Sequence, residues 1–556
     1  VLIVALQLLG LFVLPAVAPR AALYGMLAGA VGTLGVFAWW LCFSRAAWVE
    51  RLGVVVLTAA ALAATRLVLH KSVAGAGMGI LFYVYGLTSV SVALVAGALA
   101  GRALAAGPRR VVLAAAILLA SSAWALVRTD GITGDADSDF AWRWSQTAEE
   151  RLLAQAVGEA ATRSSGATAA VAVADWPGFR GPGRDGVARG VRVATDWKAS
   201  PPVELWRRPV GPGWSSFAVG GGRLYTQEQR GEHEVVACYG AADGEPVWVH
   251  KDAARFYESN AGAGPRATPA LGGGRLYTLG ATGILNALDA RDGSVVWSRN
   301  AAEDTETKTP GWGFAGSPLV VGDLVVVAAA GTLVAYDAAT GEPRWYGPKG
   351  GGGYSSPHLL TVGGVKQVVL LCGTGAVGVA PEDGRLLWQH ALPPNGRIVQ
   401  PAVTAEGDLL LSEGEGSYLR RIALSQGEAG WAVEERWESE GLKPYFSDFV
   451  VHEGHAYGFD SGALACIDLR DGARRWEGGD YGSGQLVLLP EQDLLLAVSE
   501  QGELALVAAA PGGFAELARF PAVKGKTWNH PVVAGDLLFV RNGEEMAAFR
   551  LPLEGR

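Results

Sequence analysis

The phrase 289-DARDGSVVW-297 returns along this chain with small edits, and its recurrence limits the possible folds more than any other feature. Upstream stands 240-GAADGEPVW-248; downstream stand 337-DAATGEPRW-345, 380-APEDGRLLW-388 and 468-DLRDGARRW-476. In all five a glycine precedes a tryptophan by four positions, and Asp or Thr precedes the glycine. Trp248 to Trp297, Trp297 to Trp345 and Trp345 to Trp388 are steps of 49, 48 and 43 residues, and Trp437, Trp476 and Phe520 continue the series. A period of about 40–50 residues marks a repeat architecture.

Within a unit the pattern is strand-like and rich in turns. In one, 267-ATPALGG-273, 275-RLYTLGA-281, 284-ILNALDA-290 and 294-SVVWSRN-300 are four short apolar runs separated by glycine-containing turns. Four antiparallel strands per unit make a propeller blade. Asp/Thr-Gly then forms the turn between third and fourth strands, and the Trp is an outer-strand residue packing its blade against a neighbour. Such a Trp lies far from the central channel, so the phrase is structural. Trp206, in 203-VELWRRP-209, sits one period early with no strands before it, while 529-NHPVVAGDLLFVRNGEEMAAFRL-551 supplies three strands and lacks a fourth. Each completes the other. The expected fold is an all-β eight-bladed β-propeller closed by its N-terminal strand, which leaves no free sheet edge at the junction.

The preceding part is of another kind. Residues 1–128 are almost wholly apolar, with runs at about 1–18, 21–43, 52–69, 76–100 and 111–127, each near the ~20 residues of a membrane-crossing helix. The expected organisation is an α-helical transmembrane domain of about five helices over 1–128, a juxtamembrane helix and linker over 129–174, and the propeller over 175–556. Inner loops would hold Arg45, Arg51, Arg102, Arg109 and Arg110 against Arg20, Lys71 and Arg128 outside. That bias predicts a multi-pass protein of the bacterial inner membrane with its propeller in the periplasm. The lipid bilayer is thus one partner. A net charge of −8 with no basic run excludes nucleic acid as another.

Chemistry is expected at the channel mouth. The residues opening the innermost strands read Ser216, Thr268, Ser317, Ser356, Gln400, Asp448, Ser483 and His530, all polar. Two positions earlier come Trp214, Arg266, Ala315, Tyr354, Ile398, Phe446, Tyr481 and Trp528, with Trp312 beside the Ala315 slot. A polar ring under an aromatic rim suits a flat or extended ligand. Trp214, Ser216, Arg266, Thr268, Trp312, Ser317, Tyr354, Ser356, Gln400, Phe446, Asp448, Tyr481, Ser483, Trp528 and His530 are therefore the candidate binding residues. Two long loops, 255-RFYESNAGAGPRATP-269 and 303-EDTETKTPGWGFAGSP-318, reach the same mouth. Cys238 and Cys466 share one repeat slot, ten before the Trp, and are expected as core packing. No metal-ligand spacing is present.

The blade phrase, with 175-DWPGFRGPGRDGV-187 and 202-PVELWRRPVGPGWSSFAV-219, resembles the pyrroloquinoline-quinone-like repeat shared by quinoprotein dehydrogenases and BamB-like assembly lipoproteins. The resemblance covers about 176–551 and is specific for fold rather than activity. It implies two functions. The leading one is a membrane-tethered, non-catalytic binding or assembly scaffold with a protein or polymer partner in the periplasm and no cofactor. The alternative is a dehydrogenase using pyrroloquinoline quinone with calcium to oxidise a sugar or alcohol and passing electrons to membrane quinone. The dehydrogenase pattern includes, in many members, adjacent cysteines and a Glu/Asn/Asp calcium set. This chain has no Cys-Cys, and Asp448 is the one ring carboxylate, hence the one catalytic base available under the alternative.

Overall fold

The computed structural model describes residues 1–17, 21–134, 137–159, 175–414, 418–428 and 430–555. They form two units: Val1–Gln146 with Tyr257–Gly262, and Thr147–Phe256 with Ala263–Arg556.

In the first unit, four helices are long and apolar enough to cross a membrane: Tyr24–Phe43, Trp48–Val68, Leu81–Ala103 and Ala106–Leu126. The first apolar run, expected as a fifth span, forms a shorter helix, Leu2–Val13, whose hydrogen-bond ladder slips into a π turn at Leu9–Val13. It lies so close to the next helix that a methyl group on Gly25 would meet the Gly10 carbonyl oxygen at 2.2 Å. Small residues permit such contacts between apolar helices. Gln7 is buried here: its Nε2 donates to Gly29 O and Thr33 Oγ1, both at 3.0 Å, while Ser91 Oγ donates to its Oε1 at 3.1 Å. Val127–Ile132 and Ser138–Trp142 pair as an antiparallel hairpin, where a helix and linker were expected. Its first strand, VRTDGI, has no period-two apolar pattern, and its register is irregular between Thr129 and Ile132, so nothing local marks it as a strand.

The second unit opens with a helix, Ala148–Glu159. Thr147 and Glu150 form the reciprocal pair that caps its first turn: Glu150 N donates to Thr147 Oγ1 at 3.1 Å, and Thr147 N to Glu150 Oε2 at 2.8 Å. The tether expected over 164–174 lies outside the described residues. Eight four-stranded antiparallel sheets follow. Blades 1 to 7 are consecutive, and their innermost strands begin at Ala218, Ala270, Leu319, His358, Ala402, Phe449 and Gln485. Blade 8 combines Val532–Ala534, Leu537–Arg541 and Glu545–Arg550 with Val203–Pro209 from the other end of the propeller. The register, from Val203↔Arg550 to Pro209↔Glu545, is the predicted ring closure. Middle strands are covered on both faces by adjacent blades, so they read as unbroken apolar runs. Leu324–Ala329, LVVVAA, is buried at every position.

The repeated phrase is a docking device in which both ends belong to one contact. The indole Nε1 of Trp206, Trp248, Trp297, Trp345, Trp437 and Trp476 donates to a backbone carbonyl of the next blade's turn: Ala241, Ala290, Ala338, Pro381, Leu469 and Ala510, at 2.8 to 3.2 Å. At five of these six seams the ring covers the turn glycine of that blade, while Trp476 meets Phe514 at 5.7 Å instead. A Cβ on Gly293 would lie 2.4 Å from Trp248, and one on Gly341 2.6 Å from Trp297. Both glycines also have positive φ, 75° and 76°, so turn geometry and the close approach both require glycine. Across its own sheet Trp206, Trp248, Trp297, Trp345 and Trp476 face a small residue, as in Ala287↔Trp297, Cys238↔Trp248 and Cys466↔Trp476, whereas Trp437 faces Arg421. The two cysteines are buried and unbridged, as expected. Two further seams depart from the pattern. Trp388 bonds Gln367 Oε1 of its own blade at 2.6 Å, because blade 5 turns through a long hairpin, Leu419–Gly427 with Gly430–Ser439. Phe520 packs edge-on against Phe549, because blade 8 has no turn into its outer strand.

Trp297→Ala should therefore cost roughly 3–5 kcal/mol, as for other large core truncations. Gly341→Ala should destabilise through the same seam. Denaturant unfolding of both single variants and the double variant should show that the losses are not additive. Additive losses would mean that the two residues do not share one contact.

Candidate functional site

The predicted polar ring exists, and its polar groups are mostly spent on joining blades. Ser216 N donates to Thr268 Oγ1 at 3.0 Å, Thr268 N to Ser317 Oγ at 2.9 Å, and Ser317 N to Ser356 Oγ at 2.9 Å. Each side chain thus satisfies the first free N–H of the blade before it. Gln400 Nε2 reaches Ser356 O at 3.3 Å, and Ser216 Oγ donates to His530 O at 2.6 Å. All but His530 of these residues are buried.

Blade 7 departs from the aligned order. Counted back from its first turn, the ring slot falls to Gln485, whose Oε1 accepts from Asp448 N at 3.2 Å and whose Nε2 donates to Phe446 O at 3.1 Å. Ser483 lies two residues outside the slot, its N–H donating to Glu500 Oε2 at 3.1 Å. Tyr481 leaves the rim with it. It is fully buried, donates its hydroxyl to Glu516 and stacks under Arg519. The loop 479-GDYGSGQ-485 lacks the Ser/Thr-Pro pair that marks several other slots.

The rim is a continuous run of rings. Trp214 and Trp528 lie 4.8 Å apart, Trp528 and Phe446 4.9 Å, Phe446 and Tyr445 5.1 Å, Tyr445 and Trp312 6.3 Å, and Trp312 and Tyr354 5.1 Å. All are partly exposed. Tyr445 is the link that alignment missed, since it stands one position before the aligned slot. Lys526 Nζ lies over both Trp528 and Trp214, at 4.6 and 5.3 Å. Arg266, expected to face a ligand carboxylate, is directed elsewhere. Its guanidinium donates to the carbonyls of Trp312, Ala263 and Gly264 and lies 5.1 Å over Phe256. It fastens the two long loops together.

The largest feature absent from the sequence reading is the segment 176–194, which crosses the channel. Trp176 exchanges backbone bonds with Val219 of blade 1, and Leu271 N of blade 2 donates to Pro177 O. Arg184 bonds the carbonyls of Pro318 and Ser317 in blade 3 at 2.8 and 3.1 Å, and Gly183 O lies 3.3 Å from His358 of blade 4. Arg180 bonds Phe449 O of blade 6 at 2.6 Å, Ala188 pairs with Leu488 of blade 7, and Phe179 meets His530 of blade 8 edge-on at 4.8 Å. The segment leaves beside the first turn of blade 7, where Gly190 N bonds Glu491 and Val193 N bonds Gln492. The channel is therefore plugged on the face opposite the aromatic rim.

The plug makes the floor cationic. Asp448 Oδ2 lies 3.4 Å from Arg180 Nε and 2.7 Å from His530 Nε2. Burial pushes the Asp448 carboxyl up, but Arg180 and the His530 bond outweigh it, so its pKa lies below the ordinary value. Burial, helped by the neighbouring Arg180 charge, pulls Arg184 down to about 9. Burial and then both arginines hold His358 down at about 4, so it is neutral near pH 7. Among the described residues one group has metal-like spacing, His452, Glu453 and Asp493, at the first turns of blades 6 and 7, at the opposite end of the innermost strands from the ring.

Beside the long loop of blade 1, Glu234 is buried and accepts from Ala281 N at 3.1 Å. Burial, with Asp252 nearby, pushes its pKa up to about 7 from 4.5. The folded protein then holds a proton there that the unfolded chain releases above about pH 4.5, so stability falls as pH rises from there to about 7 and levels off beyond. Glu234→Gln keeps an acceptor oxygen without the charge. It should raise the melting temperature at pH 8 and leave it nearly unchanged at pH 4, a relative gain on the order of 3 kcal/mol. Equal melting of both proteins at pH 8 would contradict this.

Comparisons with known proteins agree with this geometry. The family profile described as "Outer membrane protein assembly factor BamB" matches residues 203–345, 232–478 and 395–551. The BamB of Shewanella oneidensis is 25% identical over 383 residues, covering 63% of this chain and 89% of that protein. The BamB of Burkholderia pseudomallei is 30% identical over 169 residues, covering 29% and 41%. Among solved structures, the quinohemoprotein alcohol dehydrogenase ADHIIG of Pseudomonas putida superposes with a TM-score of 0.51 at 15% identity, covering 69% of this chain and 81% of the enzyme. At that identity the likeness is one of fold. With matches running from residue 203 to residue 551, the chain belongs to the outer membrane protein assembly factor BamB family.

Proposed function

We propose that this protein is a non-catalytic binding scaffold, held to the bacterial inner membrane by its apolar helices and presenting the propeller to the periplasm. The observation that carries the reading is the engagement of the ring. The side chains of Ser216, Thr268, Ser317, Ser356 and Gln400 join blades, and Asp448, the one ring carboxylate, is paired with Arg180 of the plug and with His530. What the mouth offers is aromatic area. Trp214, Trp312, Tyr354, Tyr445, Phe446 and Trp528 give a large contact surface at little entropy cost, suited to an extended segment of a protein or polymer.

The channel residues do not fit pyrroloquinoline quinone with calcium. Calcium takes about six to eight oxygen ligands, whereas Asp448, the one ring carboxylate, already pairs with Arg180 and His530. A divalent cation beside it would also meet the Arg180 and Arg184 charges. Titrating the purified chain with the quinone and calcium should give no bound-quinone absorbance and no dye reduction with alcohols or sugars. A stoichiometric bound chromophore would overturn the scaffold reading.

The positive-charge bias of the loops supports a periplasmic propeller. Alkaline phosphatase fused after Ser145 should be active in cells and a cytoplasm-dependent reporter at the same site silent. The reverse pattern would place the propeller in the cytoplasm.

A further inference from the structure

On the face opposite the aromatic rim, a groove of about 610 Å³ follows the seam between blades 1 and 2. Its volume falls within the roughly 300–1,000 Å³ of ligand sites. The glycine turns Gly220–Gly221 and Gly273–Gly274 form one end and Val296 of the outer strand the other. It thus runs from the first to the fourth strand of blade 2, about 14 Å at the usual strand spacing, which is room for about four extended residues.

Its charge is one-sided. Arg223, Arg275 and Arg291 line it against a single carboxylate, Asp289, in a chain whose net charge is −8. Arg291 takes Asp289 at 2.7 Å. Arg223 donates through Nη1 to Ala290 O and Arg291 O, and Arg275 through Nη1 to Ala338 O. These carbonyl bonds fix both guanidiniums in place, and neither makes a salt bridge among the described residues. At the outer end, Val296 is exposed at 42%. Held guanidiniums beside an exposed valine complement a strand in which acidic and apolar side chains alternate.

We propose that this groove is a second docking site, which takes an extended acidic-apolar segment of a partner protein. The inference rests on the scaffold reading and extends it, since a scaffold with binding surfaces on two faces can join two partners. The probe is a fluorescein-labelled Asp-Val-Glu-Val-Asp-Val peptide, titrated by anisotropy against the full chain in detergent, beside its Lys-Val-Lys-Val-Lys-Val counterpart. The acidic peptide should bind, weaken with added salt, and lose at least about tenfold in affinity with Arg291→Glu, a side chain 85% exposed whose reversal spares the core. Arg275→Glu should act likewise, and the same charge reversal at exposed Lys366 of blade 4, Lys366→Glu, should change nothing. No binding, equal binding of both peptides, or displacement by sub-millimolar inorganic phosphate would overturn the proposal. So would an equal loss with Lys366→Glu and Arg291→Glu. None of these outcomes bears on the quinone titration, by which the scaffold reading stands or falls.

Discussion

Everything in the propeller depends on one contact made at successive seams: an indole laid over the next blade's turn glycine, its N–H on the carbonyl beside that turn. The contact combines a large apolar burial with a directional bond, so it sets both the strength of the seam and the angle at which blades meet. A sheet of four short strands has too little surface to be stable alone. It becomes stable only when both faces are covered, and the indole decides which surface covers which. The small residue opposite most of these Trp belongs to the same arrangement, since it lets the ring lie close to its own sheet; Trp437, opposite Arg421, keeps its bond to the next blade all the same.

This dependence explains what the sequence disclosed. A contact that needs Gly, Trp and a small partner at fixed spacings writes itself into the chain at each repeat, so blade number, strand order and ring closure were all legible before any coordinates. The polar slots were legible for a related reason, since each must supply an acceptor to the preceding strand. Their purpose was not, because a serine that joins blades and a serine that binds a ligand look alike in sequence. Ser483 and Tyr481 were misassigned where the loop into blade 7 lacks the proline that marks the slot elsewhere. Arg266 was given to a ligand because nothing local shows that its guanidinium is met by three carbonyls.

The plug was invisible for a different reason. The stretch 176-WPGFRGPGRDG-186 has no periodicity and makes its bonds to residues between about forty and three hundred positions away. Two buried arginines in a glycine-rich stretch carry no local pattern, although each is costly to bury and is accordingly bonded to carbonyls. In the apolar domain the hairpin Val127–Trp142 and the π turn at Leu9–Val13 were hidden in the same way, since hydropathy alone does not distinguish a helix from the strand that continues it.

The plug also orders the assembly of the ring. It lies on the N-terminal side of every strand it touches, and Val203–Pro209 precedes its own partner, Glu545–Arg550, by nearly the whole propeller. During synthesis both segments emerge first: Arg184 and Arg180 of the plug wait for their partners in blades 3 and 6, and Val203–Pro209 keeps an open strand edge until seven blades have been made. Such long-range closure is slow, and an open edge in the interval invites pairing with the wrong chain. The blades are thus built around a core segment already present, like staves set around a bung. Completion of the last sheet is the step that turns a linear row of blades into a ring.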